Sequence, residues 1–195
     1  MSTTPLHSGA GRVRVCEGPL GKGIHARRSL EAGESILEFS GPILTHRQVI
    51  ALGEAQAFAV QIGPDRYIDT EPLGRFANHS CAPNAGVVKD RVLIALRPIA
   101  AGEEVRFDYS TTMSENYWTL ACRCQESKCR GVIRDFHLIP AALQEQYIER
   151  GIVQAFIVQE WEQRQLRLAE AHLLLGVSAG ARPVGSFQRS RSALS

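Results

Sequence analysis

From Val13 to Tyr109 the apolar residues come in short bursts with a period near two, broken by turn residues. The stretches "SILEFSG", "RYIDT", "VVKDRVLIALRPI" and "EVRFDY" mix β-branched and aromatic side chains with alternating polar positions, which predicts strands. "EAGE" (Glu31–Glu34) and "AAGEE" (Ala100–Glu104) place glycine where a tight turn wants a positive φ. A single short helix is predicted over "THRQVIALGEA", with Thr45 as its N-cap. After Cys129 the pattern changes. No proline occurs between Pro140 and Leu175, and Leu143, Tyr147, Ile148, Ile152, Phe156, Ile157, Trp161 and Leu168 recur at helical spacing. Gly151 divides this stretch into two predicted helices. The chain therefore reads as a β-rich body, a cysteine-bearing hinge and a helical tail.

Composition narrows the picture without deciding it. At 195 residues the chain is long enough for one well-packed domain and an appendage. A net charge of +2 is too small to argue for direct nucleic-acid binding, and none is expected. No apolar run reaches the roughly 18 residues of a membrane span, and "MSTTPLHSGAGR" has no signal pattern. An intracellular place is expected: the cytoplasm if the Ala-, Gly- and Arg-rich composition reflects a bacterial source, the nucleus if the source is eukaryotic. Residues 1–11 and 177–195 are rich in Ser, Gly, Arg and Pro, and are expected to be disordered tails.

Five cysteines, an odd number without an export signal, argue for thiols or a metal rather than for disulfides. In "CRCQESKC" the C-x-C-x4-C spacing of Cys122, Cys124 and Cys129 lets three thiolates converge on one ion. A closed tetrahedral zinc site needs a fourth ligand. Cys81, inside the run "RFANHSCAPN" (Arg75–Asn84), would supply it and pin the later segment against that loop; the alternative is a set of small, buried cysteines. The run itself follows neither structural period, so packing alone does not explain it. The Gly21-Lys22-Gly23 turn lacks the strand–helix context of a phosphate-binding loop, and its glycines read instead as letting backbone approach a ligand. "EVRFDYS" ends a strand in Phe107, Asp108 and Tyr109; alone, such a tyrosine most often packs half-buried with its hydroxyl wet.

In order, G-x-G followed by "LEAGE", then R-F-x-N-H-S-C-x-P-N, then G-E-E-x-x-F-D-Y, then C-x-C-x4-C, resemble the SET-domain lysine methyltransferases with a post-SET zinc segment. The resemblance covers Val13 to about Gly131. It implies a mainly β, α+β fold: a SET-type β-clip with a pseudoknot of short strands, a Cys-rich post-SET segment and C-terminal helices. The implied domains are 12–110 (SET), 111–131 (post-SET) and 132–176 (helical extension), between tails 1–11 and 177–195. It implies transfer of methyl from S-adenosylmethionine to a lysine amine of a protein substrate. Carried over, Lys22, Gly23, Ile24, Asn78 and His79 contact the cofactor, His79 through its ring or through backbone alone. Tyr109 is the catalytic tyrosine and also borders the cofactor. Cys81, Cys122, Cys124 and Cys129 hold one structural zinc. Phe107 sits where the family sets how many methyl groups are added, and phenylalanine there leaves room for two or three. Tyr67 and Phe39 are further channel residues; Phe39 in "EFSG" stands where many members have tyrosine, and the 69–75 segment is shorter than usual. A second class of function is a non-catalytic, zinc-containing interaction module. The tail is expected to pack on the body or on a second copy in a homodimer.

Overall fold

The computed structural model describes residues 9–18 and 21–174. The tails expected at 1–11 and 177–195, and the last two residues of the 132–176 extension, lie outside the described residues apart from Gly9–Gly11, a 3-10 turn. The chain divides into two units, Met1–Trp161 and Glu162–Ser195.

The first unit starts with β1 (Val13–Gly18) and β2 (Gly21–Ala26), antiparallel, with Val13 opposite Ala26 and Gly18 opposite Gly21. β3 (Ser35–Glu38), β4 (Ile43–Leu44) and α1 (His46–Ala51) follow. Thr45 does cap α1, within a capping box: its side chain accepts from Gln48 N–H while its own N–H donates to Gln48 Oε1 at 2.8 Å. A 3-10 turn then leads to β5 (Ala59–Gly63), β6 (Arg66–Asp69), the single turn α2 (Pro72–Arg75) and the two-residue β7 (Asn78–His79). β8 (Ala85–Val88) and β9 (Val92–Ala95) make a hairpin, and β10 is only Arg106–Phe107. β11 (Leu120–Ala121) and β12 (Val132–Ile133) flank the cysteine segment, before α3 (Ala141–Glu149) and α4 (Ala155–Leu174).

The strands form small sheets rather than one large one. Two have three strands, ordered β3-β9-β8 and β4-β6-β5, with every neighbouring pair antiparallel. β7 and β10 pair in parallel, Asn78 with Arg106 and Phe107 with His79, across a long stretch of intervening chain. Mainly β with a few helices is the α+β class expected. Ile24, Leu30, Ile36, Phe39, Ile68, Leu93, Ile99 and Val105 form the dry centre of the body, each at most 1% exposed.

The tail is helical and broken at Gly151, as the periodicity predicts; Gly151 has φ +65°. Up to Trp161 it packs on the body. Tyr147, Ile152, Val153 and Ile157 form a second buried cluster with Phe136 and Ile139, against which Val88, Leu96, Leu143, Phe156 and Trp161 pack. Contact is tight at Gly86, where an added Cβ would lie 2.8 Å from Ile152 Cγ2. Gln154, 1% exposed, donates through Nε2 to the carbonyls of Gln61 and Asp90, and Asp90 Oδ1 accepts the N–H of Ala155 at the start of α4. Asp90 lies in the three-residue connection between β8 and β9, where Lys89 and Asp90 both adopt positive φ, +50° and +63°. In the second unit the described residues continue as helix, and Leu166, Leu168, Leu173 and Leu174 are exposed. Among the described residues no helix is long and apolar enough to cross a membrane.

Ile152→Ala removes a fully buried side chain that fills the space above Gly86. We expect it to lower unfolding free energy by about 2–5 kcal/mol, read from urea denaturation. An unchanged midpoint would mean that the tail adds no stability to the body.

Candidate functional site

The segment 77–84 clasps the segment 104–109. Arg106 N–H donates to Asn84 Oδ1 at 2.8 Å, and Asn84 Nδ2 donates to Glu104 O at 2.8 Å and to Glu103 Oε1 at 2.9 Å. Ser80 N–H donates to Phe107 O, and Tyr109 N–H to His79 Nδ1 at 3.2 Å. The amide Nδ2 of Asn78 donates to Glu104 Oε1 at 2.8 Å and to Lys22 O at 3.0 Å, so it ties β2 and β10 into one corner. Ile24 extends that corner, its N–H bonded to Phe76 O and its carbonyl accepting from Val105 N–H. Gly23 has no room for a side chain here, since a Cβ would run into the Glu104 carboxylate.

At the end of β10 stands Asp108, 1% exposed. It accepts two hydrogen bonds from Arg130, at 2.7 and 2.8 Å, one from the hydroxyl of Tyr147 at 3.0 Å and one from Ser110 N–H at 3.1 Å. A buried charge is tolerable only when paired and hydrogen-bonded, and this one is both. Burial opposes the charge of Arg130, but Asp108 outweighs it and raises the guanidinium's pKa. Burial and then Asp108 raise that of Tyr147.

Next to Asp108, Tyr109 packs its ring against Phe107 (centroids 4.9 Å apart) and edge-on to His79 (5.3 Å), and its hydroxyl donates to Ala77 O at 2.9 Å. Phe107 in turn meets Phe39, centroids 5.7 Å apart. Phe39, Tyr67, Phe107 and Tyr109 line one cavity together with Phe58, Val60, Met113, Tyr117 and Trp118. Burial first, then Glu104, raises the pKa of Tyr109 well above the ordinary phenol value, so the hydroxyl keeps its proton. Tyr67 is raised likewise by burial and by the hydrogen bond it donates to Glu115 Oε2 at 2.8 Å.

The cysteines converge on the back of the same loop. The ligand atoms of His79, Cys81, Cys122 and Cys124 all lie within 4.8 Å of one another, and Cys81 Sγ is 3.8 Å from Cys122 Sγ. Four thiolates at about 2.3 Å from one zinc make a tetrahedron with edges of roughly 3.8 Å. Cys129 is not one of those four, but its thiol interacts with those of Cys122 and Cys124. Backbone N–H groups point at the sulfurs: Arg130 N–H at Cys81 Sγ and Gly131 N–H at Cys129 Sγ, both at 3.4 Å. Burial works against ionising Cys124, yet the N–H groups of Cys81 and Glu126, with the thiols of Cys122 and Cys129, bring its pKa down to about 7. Burial pushes Cys81 up to about 11. His79 is drawn down to about 4, mainly by burial, and is neutral. Cys16 lies outside this cluster on β1.

The expected residues thus fall into three adjoining groups: Lys22, Gly23, Ile24 and Asn78 at the β2–β10 corner; Phe39, Tyr67, Phe107 and Tyr109 around the cavity; and the cysteines with His79. Sequence reading passed over Asp108, Arg130, Tyr147, Asn84, Glu104 and Glu115. For Asp108 a signal existed, an acid between two aromatic residues at a strand end, which calls for a buried cation.

Residues 21–110, a little under half of the chain, match the family model described as the SET domain. It is 31% identical over 129 residues to the histone-lysine N-methyltransferase ash1 of Drosophila melanogaster, covering 58% of this chain and 6% of that protein. It is 33% identical over 132 residues to a histone-lysine N-methyltransferase, H3 lysine-36 specific, of Yarrowia lipolytica (58% and 17%). A protein of the same description from Eremothecium gossypii is 30% identical over 171 residues (77% and 25%). The chain spans a quarter or less of the length of these relatives.

Asp108→Asn strands the Arg130 guanidinium in a mostly buried place. Removing one partner of such a pair costs about 3–5 kcal/mol. Tyr147→Phe removes one neutral donor to this carboxylate and should cost less, about 1.5–3 kcal/mol. Urea unfolding of the two variants beside the parent checks the order; equal losses would deny Asp108 its central place.

Proposed function

We propose that this chain transfers methyl groups from S-adenosylmethionine to the side-chain amine of a lysine in a protein substrate. The observation that carries the reading is the aromatic cavity in which Tyr109 holds a protonated hydroxyl beside Phe107. The adjoining corner fits the methyl donor: glycine backbone at Gly21 and Gly23, the carbonyl oxygen of Asn78 left over once its amide nitrogen is bonded, and the Glu104 carboxylate suited to an amino group. The donor supplies an electrophilic methyl; the protein's work is to prepare and align the amine.

A free lysine has a pKa near 10.4, so at neutral pH the reactive form is scarce. A channel walled by Phe39, Val60, Phe107 and Tyr109 disfavours the ammonium and pushes its pKa down. Tyr109 is no base, because its own pKa is raised. Its O–H donates to Ala77 O, which fixes the hydroxyl's rotation and leaves the oxygen's lone pairs free to accept from an amine N–H. Alignment of amine and methyl is the larger part of the barrier that such a site lowers. The relatives' descriptions as histone-lysine N-methyltransferases support a lysine-bearing protein as substrate.

One zinc fits the cysteine cluster, held by Cys81, Cys122, Cys124 and Cys129. We read His79, although it converges with Cys81, Cys122 and Cys124, as a support of the metal rather than a ligand. Its Nδ1 accepts the Tyr109 N–H, so its proton sits on Nε2, which faces Cys81 Sγ at 3.3 Å and would donate to that sulfur when it holds the metal.

Tyr109→Phe should lower turnover about 100-fold or more with little change in cofactor affinity, because the lost contact matters mainly in the transition state. Methyl transfer from labelled donor to lysate proteins, with mass spectrometry of the product, measures this. Phe107→Tyr should keep the first methylation and curtail later ones. Absence of both transfer and donor binding in the parent would leave a zinc-containing interaction module. Elemental analysis should return one zinc per chain in the parent and in His79→Ala, and none in Cys124→Ser; loss of zinc from His79→Ala would make the histidine a ligand.

A further inference from the structure

Two sets of rings line the cavity, and among the described residues no ring contact joins them. Phe39, Phe107 and Tyr109 form one, with His79 packed against Tyr109 outside the cavity lining. In the other, His46 stacks on Tyr67 (centroids 5.7 Å, 22° apart) and meets Tyr117 edge-on (5.4 Å). This second set holds a carboxylate. Glu115 lines the cavity with its side chain 13% exposed, accepts the Tyr67 hydroxyl at 2.8 Å and has His46 Nε2 at 3.8 Å. His46 Nε2 is itself buried without a hydrogen-bond partner. Behind Glu115, Asp135 is 2% exposed and accepts Asn116 N–H through Oδ2, while its Oδ1 has no partner.

Elsewhere in this unit partly buried carboxylates lean on arginine: Asp108 on Arg130, Glu103 on Arg97 at 2.7 Å, Glu126 on Arg106 at 2.7 Å. Among the described residues no lysine or arginine reaches Glu115 or Asp135. Glu115, in the cavity wall with little water and with His46 as its basic neighbour among the described residues, makes a place where an arriving positive charge is well received. The reacting amine is a poor candidate for it. A carboxylate beside that amine would stabilise the ammonium and slow the transfer, so Glu115 is set to hold a different charge.

We infer that Glu115, walled by His46, Tyr67 and Tyr117, is a subsite for a second cationic side chain of the protein substrate, an arginine close to the target lysine. Arginine suits it better than lysine: its planar group stacks on aromatic faces and its fork matches a carboxylate. The inference rests on the methyltransferase reading for the identity of its ligand.

The test separates the two. Peptides with norleucine, a neutral stand-in, at the target position and each residue in turn at the flanking positions are arrayed and probed with the full chain. Binding should favour arginine at one flanking position by about tenfold or more over alanine, with lysine weaker. Glu115→Gln should bring that ratio to about one, and Glu115→Lys should turn the preference to aspartate or glutamate, with thermal melts confirming that both variants are folded. A parent without basic preference at any position, or without retention of any peptide, overturns the inference; so does a Glu115→Gln that keeps the preference. The same array with lysine at the target and labelled donor tests the reaction: binding preference without methylation keeps the subsite and removes the enzyme.

Discussion

The carboxylate of Asp108 is the constraint on which the rest of the site depends. Buried beside Tyr109, it must be compensated, and its partners come from three places: Ser110 in the next turn, Arg130 beyond the cysteines and Tyr147 in α3. A desolvated charge enforces this more strictly than packing can, because each lost partner leaves the remainder costly. Body, cysteine segment and tail are thereby held to one point, and that point is the neighbour of Tyr109, which lines the cavity. The aromatic contacts around Tyr109 then need only set its ring.

His79 gives the arrangement a second tie. One imidazole nitrogen receives the Tyr109 backbone and the other faces a cysteine sulfur. The ring is neutral and dry, so its two bonds are directional and do not compete with water. Cysteine cluster and tyrosine are thus separated by a single rigid ring. The short parallel pairing of β7 and β10, modest as a sheet, is stiffened by this bond and by the bonds of Asn84 to Glu104 and Arg106.

Much of the body was legible because its signals are local. The Thr45 cap needs only Gln48, three residues on; the break at Gly151 needs only one glycine; the close spacing of Cys122, Cys124 and Cys129 announces shared chemistry by itself. The unread parts are long-range. Asp108 finds Arg130 22 residues later and Tyr147 39 residues later, and Tyr67 finds Glu115 across 48. Nothing in "MSENYW" marks Glu115 as half-buried, since that run has no period and its neighbour Tyr117 is exposed. For His79 the sequence left open whether ring or backbone mattered; the ring's hydrogen-bond partners, one from β7's own loop and one from beyond β10, exist only once the two strands have paired.

The placement of Asp108's partners also bears on the order in which the chain is made. Synthesis runs from the N-terminus, so the whole β-rich body, with Tyr109 and its cavity wall, leaves the ribosome before Arg130 and Tyr147 do. During that interval the carboxylate has neither its cation nor its second hydroxyl donor, and burying it is unfavourable. The nascent body is therefore held back from closing around Asp108 until the cysteine segment, and then α3, have emerged. Completion of the cavity becomes a late event in the chain's biogenesis, timed by residues that never touch it.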